Sequence, residues 1–427
     1  MLELAPSVRR TVFANGLVLL TEAMTDTYSV AAGLYLQVGS QHEKPAQAGI
    51  SHLIEHMLFK GTKRHSAKAL AQIIDAVGGR TNAYTSKEHT LYHVTVTAEH
   101  CEFAFDFLSD IVFQSLIPPK DLELEKNVVL EEIKMSEDAA EEYVADLVEQ
   151  ALWPKHPLGR FVIGGPKTVA KFSRKDLQDY MYRYYQPHNM VLAVSGCIDH
   201  DQVLAWVKKY FKPHVQRVPK RVASQKLPQL RASSGYTFIK RDTEQCNLCL
   251  AYPMTGYMHP RWAAQQVLNT LLGGAMSSRL FQEVREKRGL AYAVGSYPNY
   301  YRHTGALTVF AGTSPKTARK TVEVILRELQ RVVDKPMSSG ELTNIREKIK
   351  GSTYLGYETA EAHMGWLGRC EMLDNTFMPI LKVIDQLNKV TAADVQAEAK
   401  RIFSQAPALA LIGPFTEAAP LKDLIHV

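Results

Sequence analysis

His52, Glu55 and His56 stand in the segment AGISHLIEHMLFKGT (48–62) in the order H-x-x-E-H. Around them Ile50, Leu53, Ile54, Met57 and Leu58 recur at i, i+3, i+4, i+7 and i+8, an apolar stripe at helical period. The spacing predicts a helix over about 47–60, with Gly61 as its C-cap. The three polar residues lie off the stripe, since two steps of about 100° turn His52 about 200° from Ile50. Two histidines one turn apart can direct both imidazoles at one ion. Two His nitrogens, one carboxylate and a position left for water make a catalytic zinc arrangement. The ion lowers the pKa of its water toward ~7, and a nearby glutamate can take the proton. The order inverts the H-E-x-x-H motif.

A third ligand must come from elsewhere. Near 76 residues beyond His56, LEKNVVLEEIKMSED (124–138) supplies Glu125, Glu131 and Glu132. Glu125 and Glu132 are seven apart, two helical turns, and share a face. An acidic helix face is also compatible with simple solvation, so the residues alone leave the choice open.

A second constellation lies in SSRLFQEVREKRGLAYAVGS (277–296), where Arg285 and Tyr292 are seven apart and Gly289 breaks the helix between them. Taken alone it reads as surface and packing. Two other pairs are set aside as metal sites. His89 and His93 fall in a stretch read as strand, where four residues span about 13 Å. Cys246 and Cys249 lie in CNLCLAYPM (246–254), a buried-strand pattern in which residues three apart face opposite ways.

With these motifs the whole chain resembles the inverzincin M16 metallopeptidases, the pitrilysin and mitochondrial processing peptidase group. The resemblance implies one Zn²⁺ per chain, held by His52, His56 and Glu132. It makes Glu55 the proton acceptor and places Glu125 behind the ligands as a support. Glu131 is rejected as ligand, its spacing to His56 being one short. Arg285 and Tyr292 match an R-x6-Y pair that binds the substrate carbonyl across a cleft, where such donors suit a developing oxyanion. Asn82, Ala83, Tyr84 and Thr85 match an edge strand to which substrate adds main chain to main chain, with the first three as the expected substrate contacts. The implied activity is a zinc endopeptidase acting on peptides or unfolded polypeptide inside a chamber, in the short class whose chains work in pairs. A homodimer is expected, because both residue sets sit on one chain. The alternatives are the catalytic subunit of a heterodimeric presequence-processing peptidase and a non-catalytic core-protein-like structural subunit.

The elements that must position these residues repeat. SRKDLQDYMYRYY (173–185) lies over TAADVQAEAKRIF (391–403) without a gap, each a capped amphipathic helix followed by a short apolar strand, 190–196 or 408–413. Strand-like 30–39 precedes the first helix, and strand-like 246–254 precedes a helix at about 260–272. In that second helix His52, Glu55 and His56 become Gln266, Asn269 and Thr270. The fold class is therefore α+β, a tandem duplication in which each domain is a mostly antiparallel sheet with helices packed on one face. The domains are expected at 1–211 and 236–427, joined by a Pro-, Ser- and Lys/Arg-rich linker at 212–235.

Composition excludes several classes. With 427 residues, 46% hydrophobic and 22% charged, the chain can bury large cores and is not globally disordered. No uninterrupted apolar run of ~18 residues predicts a membrane span. The net charge of +6 is concentrated in 202–241, which has ten Lys or Arg and no acid, so no nucleic-acid partner is expected. Five scattered cysteines point to a reducing, cytoplasmic setting without a disulfide framework.

Overall fold

The computed structural model describes residues 7–211, 227–257, 259–374, 377–417 and 419–425. They form two compact units. The first takes the described residues of 1–134, 161–227 and 356–379; the second takes those of 135–160, 228–355 and 380–427. The sequence reading expected continuous halves. Instead, 135–160 belongs to the second unit and 356–379 to the first. Residues 212–226 of the expected linker lie outside the described residues, and 227–235 carry neither helix nor strand.

In the first unit, β1 (Val8–Val12), β2 (Val18–Ala23), β3 (Ser29–Leu36), β4 (Arg80–Thr85), β5 (Thr90–Thr97) and β6 (Met190–Gly196) form one sheet in the order β1-β2-β6-β3-β5-β4. Only β2 and β6 pair in parallel. β3 alternates between two cores, as the period of two requires. Val30, Ala32, Leu34 and Leu36 pack with Leu53, Ile54 and Met57 of α1 (Ile50–Leu58). Ala31 and Tyr35 face Ala360, Met364 and Leu367 of the helix Ala360–Asp374. Both faces of this sheet are thus covered, which is why β3 reads as a nearly continuous apolar run.

In the second unit, β7 (Tyr236–Lys240), β8 (Cys246–Met254), β9 (Ala291–Tyr300), β10 (Gly305–Thr313) and β11 (Ala408–Gly413) run in the order β7-β11-β8-β10-β9. Without β1, the first sheet has the same order, and β7 with β11 is again a parallel pair. The matched helices Arg174–Tyr184 and Ala392–Phe403 open with the same device: Ser173 and Thr391 each exchange hydrogen bonds with an Asp three residues on, Asp176 and Asp394. The helix Ala140–Leu152 packs on β8 and β11. No helix among the described residues is long and apolar enough to cross a membrane.

α1 is shorter than the 47–60 expected. Gly49, its N-cap, has φ +93°, a left-handed conformation that ends the helix there and favours glycine. The buried Glu43 carboxylate accepts the N–H groups of Gly49 (2.8 Å) and Ser51 (2.9 Å), so an anion satisfies the positive helix end. At the other end the helix stops at Leu58 with Phe59, not the expected Gly61, as its C-cap; Gly61, with φ +118°, turns the chain two residues later. All five residues of the apolar stripe are fully buried. Each contributes about 2 kcal/mol of hydrophobic stabilisation, so the polar face of α1 is held at a fixed rotation.

Candidate metal centre

That rotation turns His52, Glu55 and His56 toward α4 (Pro119–Asp138), which brings in Glu132 from its second half. One donor atom from each of His52, His56 and Glu132 lies within 4.8 Å of the others. Glu132 Oε2 is 3.9 Å from His52 Nε2 and 3.6 Å from His56 Nε2. Ligand atoms at tetrahedral corners around zinc stand about 3.3 Å apart, so the set fits that ion in both spacing and donor type. Burial, and then the neighbouring His56, push the His52 pKa down to about 4, which keeps its imidazole neutral and able to donate a lone pair at pH 7.

Glu125 and Glu131 have other places. Glu125 is buried, with Oε2 3.1 Å from His56 Nδ1, on the ring edge away from Glu132. Glu131 is exposed and pairs with Lys134 at 2.7 Å. Glu55 is half-buried on the same helix face as the histidines. Burial raises its pKa, partly opposed by a 2.5 Å hydrogen bond from Thr85 Oγ1 and by the charge of His56.

Thr85 ends β4, which is an edge strand. Residues 80–85 alternate outward and inward, placing Asn82 and Tyr84 on the exposed side and Ala83 on the side that packs inward. The stretch 80–96 is two strands joined at 86–89. His89 sits in the connection near Tyr84 and Ser86, and His93 lies on β5 opposite Asn82.

Arg285 and Tyr292 belong to the second unit. Arg285 lies in a π-helical turn, Phe281–Glu286, and Tyr292 is near the start of β9; Gly289 between them has φ +58°. The guanidinium sits 4.8 Å from the Tyr292 ring centroid and 4.8 Å from that of Phe281, a cation–π stack. Tyr292 is 76% exposed. In the helix Trp262–Leu272, Asn269 Oδ1 accepts from Ser296 Oγ at 2.8 Å and Thr270 Oγ1 donates to the Gln266 carbonyl at 2.9 Å. These residues serve local packing. Cys246 and Cys249 are buried on β8, and burial pushes the Cys246 thiol up to about 12.

Glu43 and Lys60 carry no expectation from the sequence, and Thr85 is expected there only as part of the edge strand, not as a partner of Glu55. Lys60, whose Nζ is 2.6 Å from Glu125 Oε1, stands four residues after His56, a helical spacing that could have drawn attention. Neither Glu43 nor Thr85 carries such a signal.

Residues 18–165 match the family model described as insulinase (peptidase family M16), and 171–349 match the one described as peptidase M16 inactive domain. An uncharacterized zinc protease of Bacillus subtilis, YmxG, is 38% identical over 407 residues, covering 95% of this chain and 98% of that protein. The chain belongs to peptidase family M16. Another relative, an uncharacterized zinc protease of Mycobacterium tuberculosis, is 38% identical over 414 residues, 96% of this chain and 94% of that one. The fold matches that of a Helicobacter pylori protease with a TM-score of 0.89 at 21% identity, over 96% of this chain and all of that one. A structure described as a peptidase M16 inactive domain from Pseudomonas fluorescens gives 0.88 at 20% identity, over 97% of this chain and all of that one. M16 membership and the zinc protease relatives support a zinc-dependent peptidase.

Proposed function

We propose that the chain is a zinc-dependent endopeptidase that cleaves peptides or unfolded polypeptide segments, with His52, His56 and Glu132 as the metal ligands. The observation that carries this reading is the convergence of their three donor atoms within 4.8 Å. When bound there, zinc supplies Lewis acidity, polarising a carbonyl and making water a better nucleophile near neutral pH. Glu55, oriented by Thr85, accepts the proton of the attacking water and later delivers it to the leaving amine. Arg285 and Tyr292 donate hydrogen bonds to the scissile carbonyl oxygen as charge develops on it. The exposed ring of Tyr292 supports that role. β4 receives substrate as an added strand along Asn82, Ala83 and Tyr84, a mode that suits unstructured chains.

The working unit in this reading is a homodimer enclosing a chamber, with one zinc per chain. The location in this reading is cytoplasmic, in keeping with an odd, scattered set of five cysteines. The test is metal analysis of the purified chain together with digestion of a mixed peptide library. About one equivalent of zinc and activity without a partner support the endopeptidase. Activity only with a related subunit supports the heterodimeric alternative, and bound zinc with no activity in either form overturns the reading.

A further inference from the structure

The Glu125 carboxylate is shared between two partners. Its Oε2 is 3.1 Å from His56 Nδ1, and its Oε1 is 2.6 Å from Lys60 Nζ. Its side chain is only 8% exposed, whereas that of Lys60 is 34% exposed. Lys126, next along α4, turns its Nζ to Glu123 instead, at 2.8 Å. Lys60 follows the end of α1, its N–H bonded to the Met57 carbonyl at 3.2 Å, so the ammonium and the His56 ring are tethered by the same helix end.

A histidine that ligates through Nε2 must carry its proton on Nδ1, and an acceptor at Nδ1 fixes both tautomer and ring orientation. Glu125 is placed to be that acceptor, but a carboxylate on a long side chain has several rotamers. An ammonium held against one oxygen leaves the other aimed at Nδ1. We propose that Lys60 is a positioning residue for the metal centre: it clamps Glu125, Glu125 orients His56, and His56 then presents Nε2 to the ion. The inference rests on the ligand set proposed above. Among the described residues the ammonium of Lys60 pairs with Glu125 and not with His52, His56 or Glu132, so it acts through Glu125.

The experiment measures zinc affinity of the full chain by competition with a chromogenic chelator, independent of activity. Lys60→Met should weaken zinc binding by about 10- to 100-fold, the usual effect of losing an outer hydrogen-bonding partner. Lys60→Arg, which keeps the cation, should stay within a few fold of wild type. In a Glu125→Gln background, Lys60→Met should add little, because the two act in series. Independent, additive losses would mean that Lys60 only stabilises the fold, and would overturn the proposal. Circular dichroism and thermal melting identify an unfolded variant; if Lys60→Met unfolds, the comparison of Lys60→Arg with Lys60→Gln replaces it. His52→Ala separates the two readings. If it loses zinc while Lys60→Met binds as tightly as wild type, only the Lys60 proposal fails. If it too retains zinc, the ligand set and the proposal fail together.

Discussion

Thr85 Oγ1 donates a 2.5 Å hydrogen bond to Glu55 Oε2, joining the end of an edge strand to the helix that bears both histidines. Thr85→Val removes the donor at nearly constant volume. Losing a hydrogen bond to a charged group, about 1.5 kcal/mol, should lower kcat about tenfold with zinc content unchanged. The bond from Thr85 lowers the Glu55 pKa against the upward effect of burial. Its loss should move the acid limb of the kcat/KM profile to higher pH, and Thr85→Ser should restore both. An acid limb that stays in place or moves down would contradict this role.

Glu55→Gln separates proton transfer from metal binding. The variant should retain about one equivalent of zinc and lose at least ~10²-fold in activity. His52→Ala, His56→Ala and Glu132→Gln should each release the ion, measured by atomic absorption after dialysis. Glu131→Gln should retain it, because Glu131 pairs outward with Lys134. Release by Glu131→Gln but not Glu132→Gln would reverse the assignment of the third ligand.

Asp110 pins the chain just after α1. Its buried carboxylate accepts from Thr62 (2.7 Å) and Arg64 (2.8 Å) and lies 3.0 Å from His65 Nδ1. Burial works against the charged form, but the bonds from His65, Arg64 and Thr62 and the charge of Arg64 outweigh it and hold the pKa below the usual range. The stability this contributes is fully present above the unfolded value of about 3.9 and is lost as pH falls through the lower folded value. Asp110→Ala should therefore cost about 2–3 kcal/mol at pH 7, a gap that narrows as the pH falls below ~4. Thermal melts of both proteins across pH 3–8 check this; a gap that widens in acid would refute it.

Pairing of subunits can be tested by complementation. Mixed dimers of Glu55→Gln with an Arg285→Ala/Tyr292→Phe chain should recover activity toward half the wild-type value if each site draws on both chains. If each pair of residues serves its own chain, every site carries one lesion and nothing recovers. Tagged, co-purified mixed dimers make the comparison direct.

Capture by strand addition predicts selection by substrate conformation. An unstructured peptide of tens of residues should be cut, and the same sequence inside a stable folded protein should survive. Equal cleavage rates, followed by mass spectrometry, would remove the enclosed, strand-adding site from the account.

Local pattern determined a great deal. The stripe Ile50, Leu53, Ile54, Met57 and Leu58 specified which side of α1 is buried, and so where the two histidines and Glu55 must look. The strands Met190–Gly196, Cys246–Met254 and Ala408–Gly413 were legible to the residue, because short apolar runs with polar or glycine punctuation admit few alternatives. The seven-residue spacing of Glu125 and Glu132 placed both on one face of α4, though it could not show that Glu132 meets the Nε2 atoms of both histidines while Glu125 meets Nδ1 of His56. That depended on tertiary placement, as did the contacts of Thr85 with Glu55 and Lys60 with Glu125. Tertiary structure alone also decided which sheet each helix covers. The helices Ala140–Leu152 and Ala360–Asp374 lie in opposite halves of the sequence, yet the first belongs with β8 and β11 and the second with β2, β3 and β6. Hydrophobic patterning explains this limit physically. It records that a helix has an apolar face and a sheet has two, but burial is non-directional and nearly independent of partner, so two duplicated sheets offer each helix chemically equivalent places to dock.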